Sequence, residues 1–552
     1  MKILTAAEMQ ACDRATAECF GVPSLRLMRN AAQAVASFAQ LQFPTARRIT
    51  VLCGRGNNGG DGLMTARLLM EGGFHVTVLL LGDPKDMRGD AAKAWEELIA
   101  FHPLAGGSIH TITSAEELDS HSSVLAAGLI IDAVVGTGFQ PPLRDLPLAA
   151  LEWLNAWLKS QPEPPPILAV DLPSGWNSDS TDATSSEPAF PADAVVTFTA
   201  PKPAHVFGQL TRNIRQPIVV APIGSPDEAI DSALNLHWSG SSKTITEADR
   251  PADSNKGMYG HVLVIGGSAG KSGAPAMASL AALRSGAGLV TAAVSPSVLP
   301  LVAAVAPELM TQALAVTPTG ELSPDNLAPE SLKALLSKIT VLAIGPGLGT
   351  SSEAAEFVLG LLTQSRLPAV VDADGLNILS ANIARLPGIA ASRTLVLTPH
   401  PGEMARLTGL DTKQVQADRI RIARDFATKN QVTLVLKGWR TLIAHPDGQI
   451  AINTTGNPGM AKGGSGDLLT GMVAALLAQH PKDPARAVEA AVYLHGLAAD
   501  ITVAHPGIGP SIGADQHTLL ATDSLSFLHR AFRFHSASRS GYGWLQGLPA
   551  DF

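Results

Sequence analysis

The sequence predicts an α/β protein of two domains in series. Two observations predict it. Short apolar runs alternate with helical stretches in two separate series, and the 552 residues exceed one ordinary core. The runs are near-continuously apolar rather than alternating, as parallel strands covered on both faces are.

Each element follows from its residues. TAAEMQACDRATAE opens on Thr5 with Glu8 three residues later, a capping box, so a helix is expected there. SLRLMRNAAQAVASFAQ carries apolar residues at helical spacing. RITVLCG, HVTVLLLG, GLIIDAVVG, PILAVDLPSG, AVVTFTA and QPIVVAPIG then read as strands, and 1–222 as one domain. Residues 223–245 are polar and turn-rich and read as a linker. GHVLVIGGSAG opens a second series that runs through GAGLVTAAV, ITVLAIGPGLG, PAVVDADGLN, TLVLTPHPGE and VTLVLKGWRTLIAHPDG. The helical stretches GDLLTGMVAALLAQH and DPARAVEAAVYLHGLAADITV close it, giving a second domain over 246–535. The tail, 536–552, has little periodicity and reads as a loose terminus.

Composition narrows the function classes. Apolar residues make up 46% and charged residues 16% of the chain, which suits large cores and not a disordered or coiled-coil protein. A net charge of −8 and the lack of any basic run argue against nucleic acid and anionic membrane as partners. Cys12, Cys19 and Cys53 show neither metal-ligand spacing nor an even disulfide set, which fits a reducing compartment. No secretory core opens the chain and no apolar run of about 18 residues follows, so a soluble cytoplasmic protein is expected. A homo-oligomer is expected as well.

In the first domain, VLCGRGNNGGDG sets a Gly/Asn-rich loop between strand and helix. Gly54, Gly56 and Gly59 match G-x-G-x-x-G, a weak signal for dinucleotide binding that a plain tight turn would equally give. IIDAVVGTGFQPPL places Asp132 at a second strand end, followed by Gly136, Thr137 and Gly138. ILAVDLPSGWN places Asp171 at a third, followed by Ser174. Three polar loops at the carboxyl ends of parallel strands point to one ligand crevice.

GRGNNGGDG, DAVVGTG and AVDLPSGWN together resemble the N-terminal epimerase domain of the bifunctional NAD(P)H-hydrate repair enzymes. That resemblance implies a Rossmann-like α/β/α sandwich that interconverts the R and S forms of NADHX and NADPHX, reduced dinucleotides hydrated at C6 of the nicotinamide ring. It implies substrate contacts at Asn57, Asn58, Gly59, Gly60 and Asp61, at Gly136, Thr137, Gly138, Phe139, Gln140, Pro141 and Pro142, and at Asp171. It also implies a potassium ion on Asn58, Asp132 and Ser174, oxygen donors suited to an alkali cation. Loss of water from C6 leaves an iminium-like cation, so Asp171 is expected to carry the proton and stabilise that charge.

In the second domain, VIGGSAGKSG imitates a P-loop but departs from it. Three residues, not four, separate Gly266 from Gly270, and Ile265 stands where the first glycine belongs. A strand-to-helix turn is expected instead. Stronger signals follow at successive strand ends: IGPGLGT, VDADGLN with Asp372 and Asp374, LTPHPGEMARL with His400 and Glu403, VLKGWRT with Lys437, then NPGMAKGGSGDLLTG.

The G-G-S-G-D loop before a helix resembles the ribokinase-like fold, and 255–530 resembles its ADP-dependent NAD(P)H-hydrate dehydratase branch. The resemblance implies dinucleotide contacts at Ala276, Gly347, His400 and Asp467. It implies ADP contacts at Lys437, Gly438, Trp439, Arg440, Thr441 and Gly466. Magnesium is expected with the nucleotide, Glu403 being an indirect partner, and Asp467 is expected to be the base that takes the hydroxyl proton. The sequence departs from relatives at Trp439 and Arg440, where small residues are usual. Two other functions fit the second loop alone: a small-molecule (vitamin) kinase, or a non-catalytic nucleotide-binding protein. The first domain argues against the kinase, and the retained Asp171, Lys437 and Asp467 against the non-catalytic protein.

Overall fold

The computed structural model describes residues 1–102, 107–391, 393–504, 514–537, 541–550 and 552. The chain divides into two compact units, Met1–Leu234 with Ala537–Phe552, and Asn235–Ser536.

The first unit opens with helices Ala6–Glu18 and Ser24–Gln42. Thr5 and Glu8 close the capping box at 3.2 Å and 2.8 Å. The strands β1 (Arg48–Cys53), β2 (His75–Leu81), β3 (Gly107–Ile112), β4 (Leu129–Ala133), β5 (Ile167–Val170), β6 (Ala194–Phe198) and β7 (Ile218–Ala221) pair in parallel, in the order 7-6-5-4-1-2-3. Their side chains are buried almost throughout β1, β4, β5, β6 and β7, as two covered faces require. The order reverses beside β1, so a crevice opens at the carboxyl ends of β1 and β4.

The second unit holds β8 (Leu236–Trp238), β9 (His261–Gly266), β10 (Leu289–Val294), β11 (Met310–Ala313), β12 (Val341–Ile344), β13 (Ala369–Val371), β14 (Leu395–Leu397), β15 (Thr433–Leu436), β16 (Leu442–Ala444) and β17 (Ile450–Ile452). The sheet order is 11-10-9-12-13-14-15-16-17-8. It is parallel from β11 to β15 and turns antiparallel at β16 and β17. Its reversal point lies between β9 and β12. The helix Pro484–Ala504 is long and apolar enough to cross a membrane, but its residues are buried in this fold.

Two stretches differ from the sequence expectation. The region read as a linker contains β8, which pairs in parallel with β17, and Trp238 is buried with its indole N–H on Thr454 Oγ1 at 2.8 Å. Leu236 and Trp238 face inward on a strand too short to give a periodic signal. The tail is not loose. Its Gly543–Gln546 forms β18, antiparallel to β7, with Trp544 buried and the Tyr542 hydroxyl on the Ala34 carbonyl at 2.7 Å. Residues 538–540 and 551 of that tail lie outside the described residues.

A buried carboxylate staples the second unit. Glu489 Oε1 accepts from His237 Nε2 and His445 Nε2, each at 2.9 Å, and Oε2 accepts from Ser242 at 2.5 Å. Burial pushes the Glu489 carboxyl up, yet those histidine bonds overcome it and hold it down at about 2. Removing one member of such a buried set costs about 3–5 kcal/mol. Glu489→Ala is therefore expected to lower the thermal midpoint of the second unit. Because the folded value is depressed, this stabilisation is present above about pH 4.3 and disappears as pH falls toward 2.

Candidate functional site

In the first unit, a cavity of about 1340 Å³ lies at the carboxyl ends of the strands. Asn57, Asn58 and Asp61 line it from the helix Asn57–Glu71, Gly136 to Pro142 from the loop after β4, and Asp171 from the end of β5. Gly59 and Gly60 do not line it. They pack behind it: a Cβ on Gly59 would stand 1.8 Å from the Gly54 carbonyl oxygen. The loop can fold back on the strand only without side chains there.

Asp171 is the centre of a buried network. Its Oδ1 accepts from Lys202 Nζ at 2.9 Å and from Thr197 Oγ1 at 2.8 Å, and its Oδ2 accepts from the Thr137 amide at 3.3 Å. Lys202 is itself 1% exposed and also donates to Thr197 at 2.9 Å. Asp171 has φ 64°, a left-handed backbone that costs energy for a non-glycine residue and gathers at functional sites. His205 braces it: Nδ1 accepts from the Lys202 amide at 3.1 Å, so Nε2 carries the proton and donates to the Asp171 carbonyl at 2.6 Å. Burial, then Lys202, pushes His205 down to about 4, so the ring is neutral. Burial alone would raise the Asp171 carboxyl, but Lys202 and the neighbouring donors bring it down to about 2. Such a carboxylate stabilises a cation well and takes up a proton poorly at neutral pH.

Asp132 and Ser174 lie beneath the cavity, fully buried. Asp132 accepts from Ser174 Oγ at 2.6 Å, from the Ser174 amide at 2.8 Å and from the Val134 amide at 3.2 Å. Burial outweighs those bonds and raises its carboxyl to about 6. Asn58 Oδ1 and Nδ2 are buried without a hydrogen-bond partner. An unpartnered amide oxygen after β1, with the carboxylate of Asp132 near the end of β4 and the hydroxyl of Ser174 after β5, makes a set of oxygen donors that suits an alkali cation.

In the second unit, Asp372, His400 and Lys437 follow β13, β14 and β15, so parallel pairing brings them to one edge. Lys437 Nζ donates to Asp372 at 2.9 Å and lies 3.8 Å from Glu403. Thr470 donates to the other Asp372 oxygen at 2.8 Å. Burial works against the Lys437 ammonium, yet Asp372, Glu403 and Asp467 around it raise it. His400 caps the helix Pro401–Thr408, its Nδ1 accepting the Gly402 amide at 3.0 Å while Glu403 accepts the His400 amide at 2.8 Å.

The loop Gly463–Gly466 leads into the helix Ser465–Gln479. Gly464, the N-cap residue, has φ 96°, which a side chain would strain, and a helix N-terminus presents free amides to an anion. Asp467 lies in the first turn. Burial, then Asp372, raises its carboxyl to about 6 against the pull of Lys437. A Cβ on Gly466 would stand 3.4 Å from Lys437 Nζ, so loop and lysine are neighbours. Ala276 is buried on the helix Gly273–Arg284, whose Met277 sulfur would meet a Gly464 Cβ at 2.7 Å. Gly347, with φ 64°, adjoins Lys271 in the loop after β9. That loop turns from strand to helix as expected.

The run 437–441 divides. Trp439 is 36% exposed, while Arg440 is buried, with Nη1 on the Thr454 carbonyl at 2.6 Å and its guanidinium 4.3 Å over the Trp439 ring. Gly438 and Thr441 are joined by a bond from Thr441 Oγ1 to the Gly438 carbonyl at 3.2 Å. Arg419 braces the run through the carbonyls of Trp439, Leu436 and Arg440. Sequence reasoning did not single out Lys202, Thr197, His205 or Arg419. Lys202 stands beyond Thr199, Ala200 and Pro201 after β6, and nothing in the sequence names its partner.

Comparisons with known proteins agree with this layout. A family model described as YjeF-related protein N-terminus matches residues 24–204, and one described as NAD(P)H-hydrate dehydratase matches 262–518. The protein "Bifunctional NAD(P)H-hydrate repair enzyme Nnr" of Moorella thermoacetica is 41% identical, covering 97% of this chain and 97% of its own. The chain belongs to the bifunctional NAD(P)H-hydrate repair enzyme family. The family member of Escherichia coli (strain K12) is 35% identical, covering 94% of this chain and 91% of its own. A crystal structure of ADP/ATP-dependent NAD(P)H-hydrate dehydratase from Bacillus subtilis with ATP/Mg2+ is 33% identical, covering 54% of this chain and 97% of that one, at a TM-score of 0.42.

Proposed function

We propose that this enzyme returns hydrated NADH and NADPH to service in two steps, epimerising R and S forms in the first unit and dehydrating the S form with ADP in the second. The observation that carries the reading is Asp467, raised to about 6 in the first turn of a glycine-capped helix beside Lys437. An acid there serves a different atom from the glycine amides. The amides face the moving phosphoryl group, and Asp467 faces the C6 hydroxyl that attacks it. Its elevated carboxyl is still ionised at neutral pH and accepts the hydroxyl proton.

The bonds balance. The C6 oxygen attacks the β-phosphorus of ADP, AMP leaves, and Asp467 holds the proton. Phosphate then departs from C6 as the ring nitrogen donates its lone pair, and loss of a C5 proton restores the double bond. Hydroxide is a poor leaving group and phosphate a good one, which is why a nucleotide accompanies a dehydration. Magnesium, when bound with the nucleotide, neutralises phosphate charge; Glu403, buried beside Lys437, would meet it through water. Lys437, with Gly466, would hold the nucleotide, as would the exposed Trp439.

In the first unit Asp171 would balance the cation formed at C6 when water leaves. Potassium, when bound at Asn58, Asp132 and Ser174, supplies positive charge under the loop that holds the substrate.

The second step is tested with the S epimer, ADP and magnesium. NADH and orthophosphate should appear in equal amounts. A stable phosphorylated dinucleotide would indicate a kinase instead, and no product with either ADP or ATP would sink the dehydratase reading. For the first unit, Gly59→Ala should abolish epimerisation, since a Cβ 1.8 Å from the Gly54 oxygen must displace the loop. Turnover of the S epimer by the same variant should be unchanged.

A further inference from the structure

Asp171, paired with the buried Lys202 at 2.9 Å and held low by it, suits charge stabilisation better than proton transfer at neutral pH. Two of the cavity's other carboxylates interact electrostatically with Asp171. Asp61 lines it from the helix Asn57–Glu71, and Asp13 lines it from the N-terminal helix Ala6–Glu18. Asp13 Oδ1 is buried with no hydrogen-bond partner. The 24–204 family match begins after that helix.

The charge count is unbalanced. Three carboxylates, Asp13, Asp61 and Asp171, share one ammonium, and the hydrogen bonds of Lys202 Nζ go to Asp171 and Thr197. The three acids and Lys202 line the cavity together and influence one another electrostatically. The other charged side chains of the cavity are Arg55, Asp83, Asp86, Asp90, Arg144 and Asp145. With Asp171 ionised against Lys202, two further anions in the same desolvated space repel each other and it. Burial raises Asp61 well above an ordinary carboxyl, and Asp171 and Asp13 add to that. Burial raises Asp13 against the pull of Lys202, and Asp171 adds to the rise. A carboxyl raised well above its ordinary value and one held low by an ammonium thus line the same cavity, the arrangement that separates an acid role from a charge-stabilising role.

We propose that Asp61 donates the proton to the departing C6 hydroxyl, and that Asp13 is the positioning residue that keeps the proton on Asp61. This rests on the epimerase reading of the same cavity. The Asp61 proton goes to the C6 oxygen, the C–O bond breaks with its electron pair on oxygen, and water leaves. The ring nitrogen lone pair forms the C=N bond, whose positive charge faces the Asp171 carboxylate. The cation turns about its bond to the ribose, water adds to the other face, and the water proton returns to the Asp61 carboxylate. No oxidant or co-reactant is consumed.

The test uses the full chain without nucleotide, so the second unit is silent, and follows the two epimers by chromatography with the spontaneous rate subtracted. Asp61→Asn should lower kcat at least about 100-fold, the lower end for a lost general acid. In Asp13→Asn, the alkaline fall of kcat/KM should move down by at least about one pH unit, because a charge that raises Asp61 is gone. An unchanged thermal midpoint of the first unit in the same variants shows that this unit is folded. An unmoved alkaline limb, whatever the rate, overturns the role of Asp13. An Asp61→Asn variant within tenfold of the parent overturns the role of Asp61. A parent chain that does not epimerise at all removes the epimerase reading itself, and this proposal with it.

Discussion

Replacing Asp467 with asparagine should lower turnover of the S epimer about 100- to 10,000-fold while nucleotide binding persists, the usual span for a lost general base. The asparagine keeps the size and the position in the first turn of the helix and loses only the capacity to accept a proton. In the parent enzyme, kcat should rise with pH and level off above about 6, because the base must be ionised and its carboxyl is raised to that value by burial and by Asp372. The Asp467→Asn variant should lose that limb. Binding is checked by calorimetry with ADP and magnesium, and turnover by the near-ultraviolet absorbance of NADH. A variant that turns over within tenfold of the parent would remove Asp467 as the base.

Replacing Lys202 with methionine should have the largest effect on the first unit. Asp171 would be left buried with no cation, a loss of about 3–5 kcal/mol when one partner of such a pair is removed. With Lys202 gone, burial again dominates and the Asp171 carboxyl rises, so it no longer offers a fixed negative charge to the C6 cation. Epimerisation should fall at least about 100-fold, on the scale of a lost electrostatic stabiliser. The thermal midpoint of the first unit should fall with it, while S-epimer turnover stays. Epimerisation within threefold of the parent would show that the pair is structural.

Much of this was legible in the sequence where function sits on local pattern. Parallel strands wrote themselves as apolar runs, and topology then forced their carboxyl ends together, so Asp171, His400, Lys437 and Asp467 could be named from strand ends and one glycine loop. What stayed hidden depends on distant partners. Lys202 looks like any lysine until the fold shows that β6 lies beside β5, which puts its ammonium on Asp171. Asp13 sits on an ordinary amphipathic helix, and only the cavity reveals what it faces. Arg440 was expected to reach a ligand, but its φ of 52° belongs to a turn that sends the guanidinium to the Thr454 carbonyl. β8 and β18 are edge strands of three and four residues, stabilised by a tryptophan each rather than by periodicity. Composition gives no warning of either.

The central claim is that one chain repairs both epimers. The direct measurement supplies the pure R epimer with ADP and magnesium and follows NADH absorbance. The account predicts full recovery at a rate well above spontaneous epimerisation, with recovery reduced to the spontaneous rate in Lys202→Met and slowed at least about 100-fold in Asp467→Asn. Recovery from the R epimer no faster than its spontaneous conversion, in a chain that consumes the S epimer readily, would contradict it.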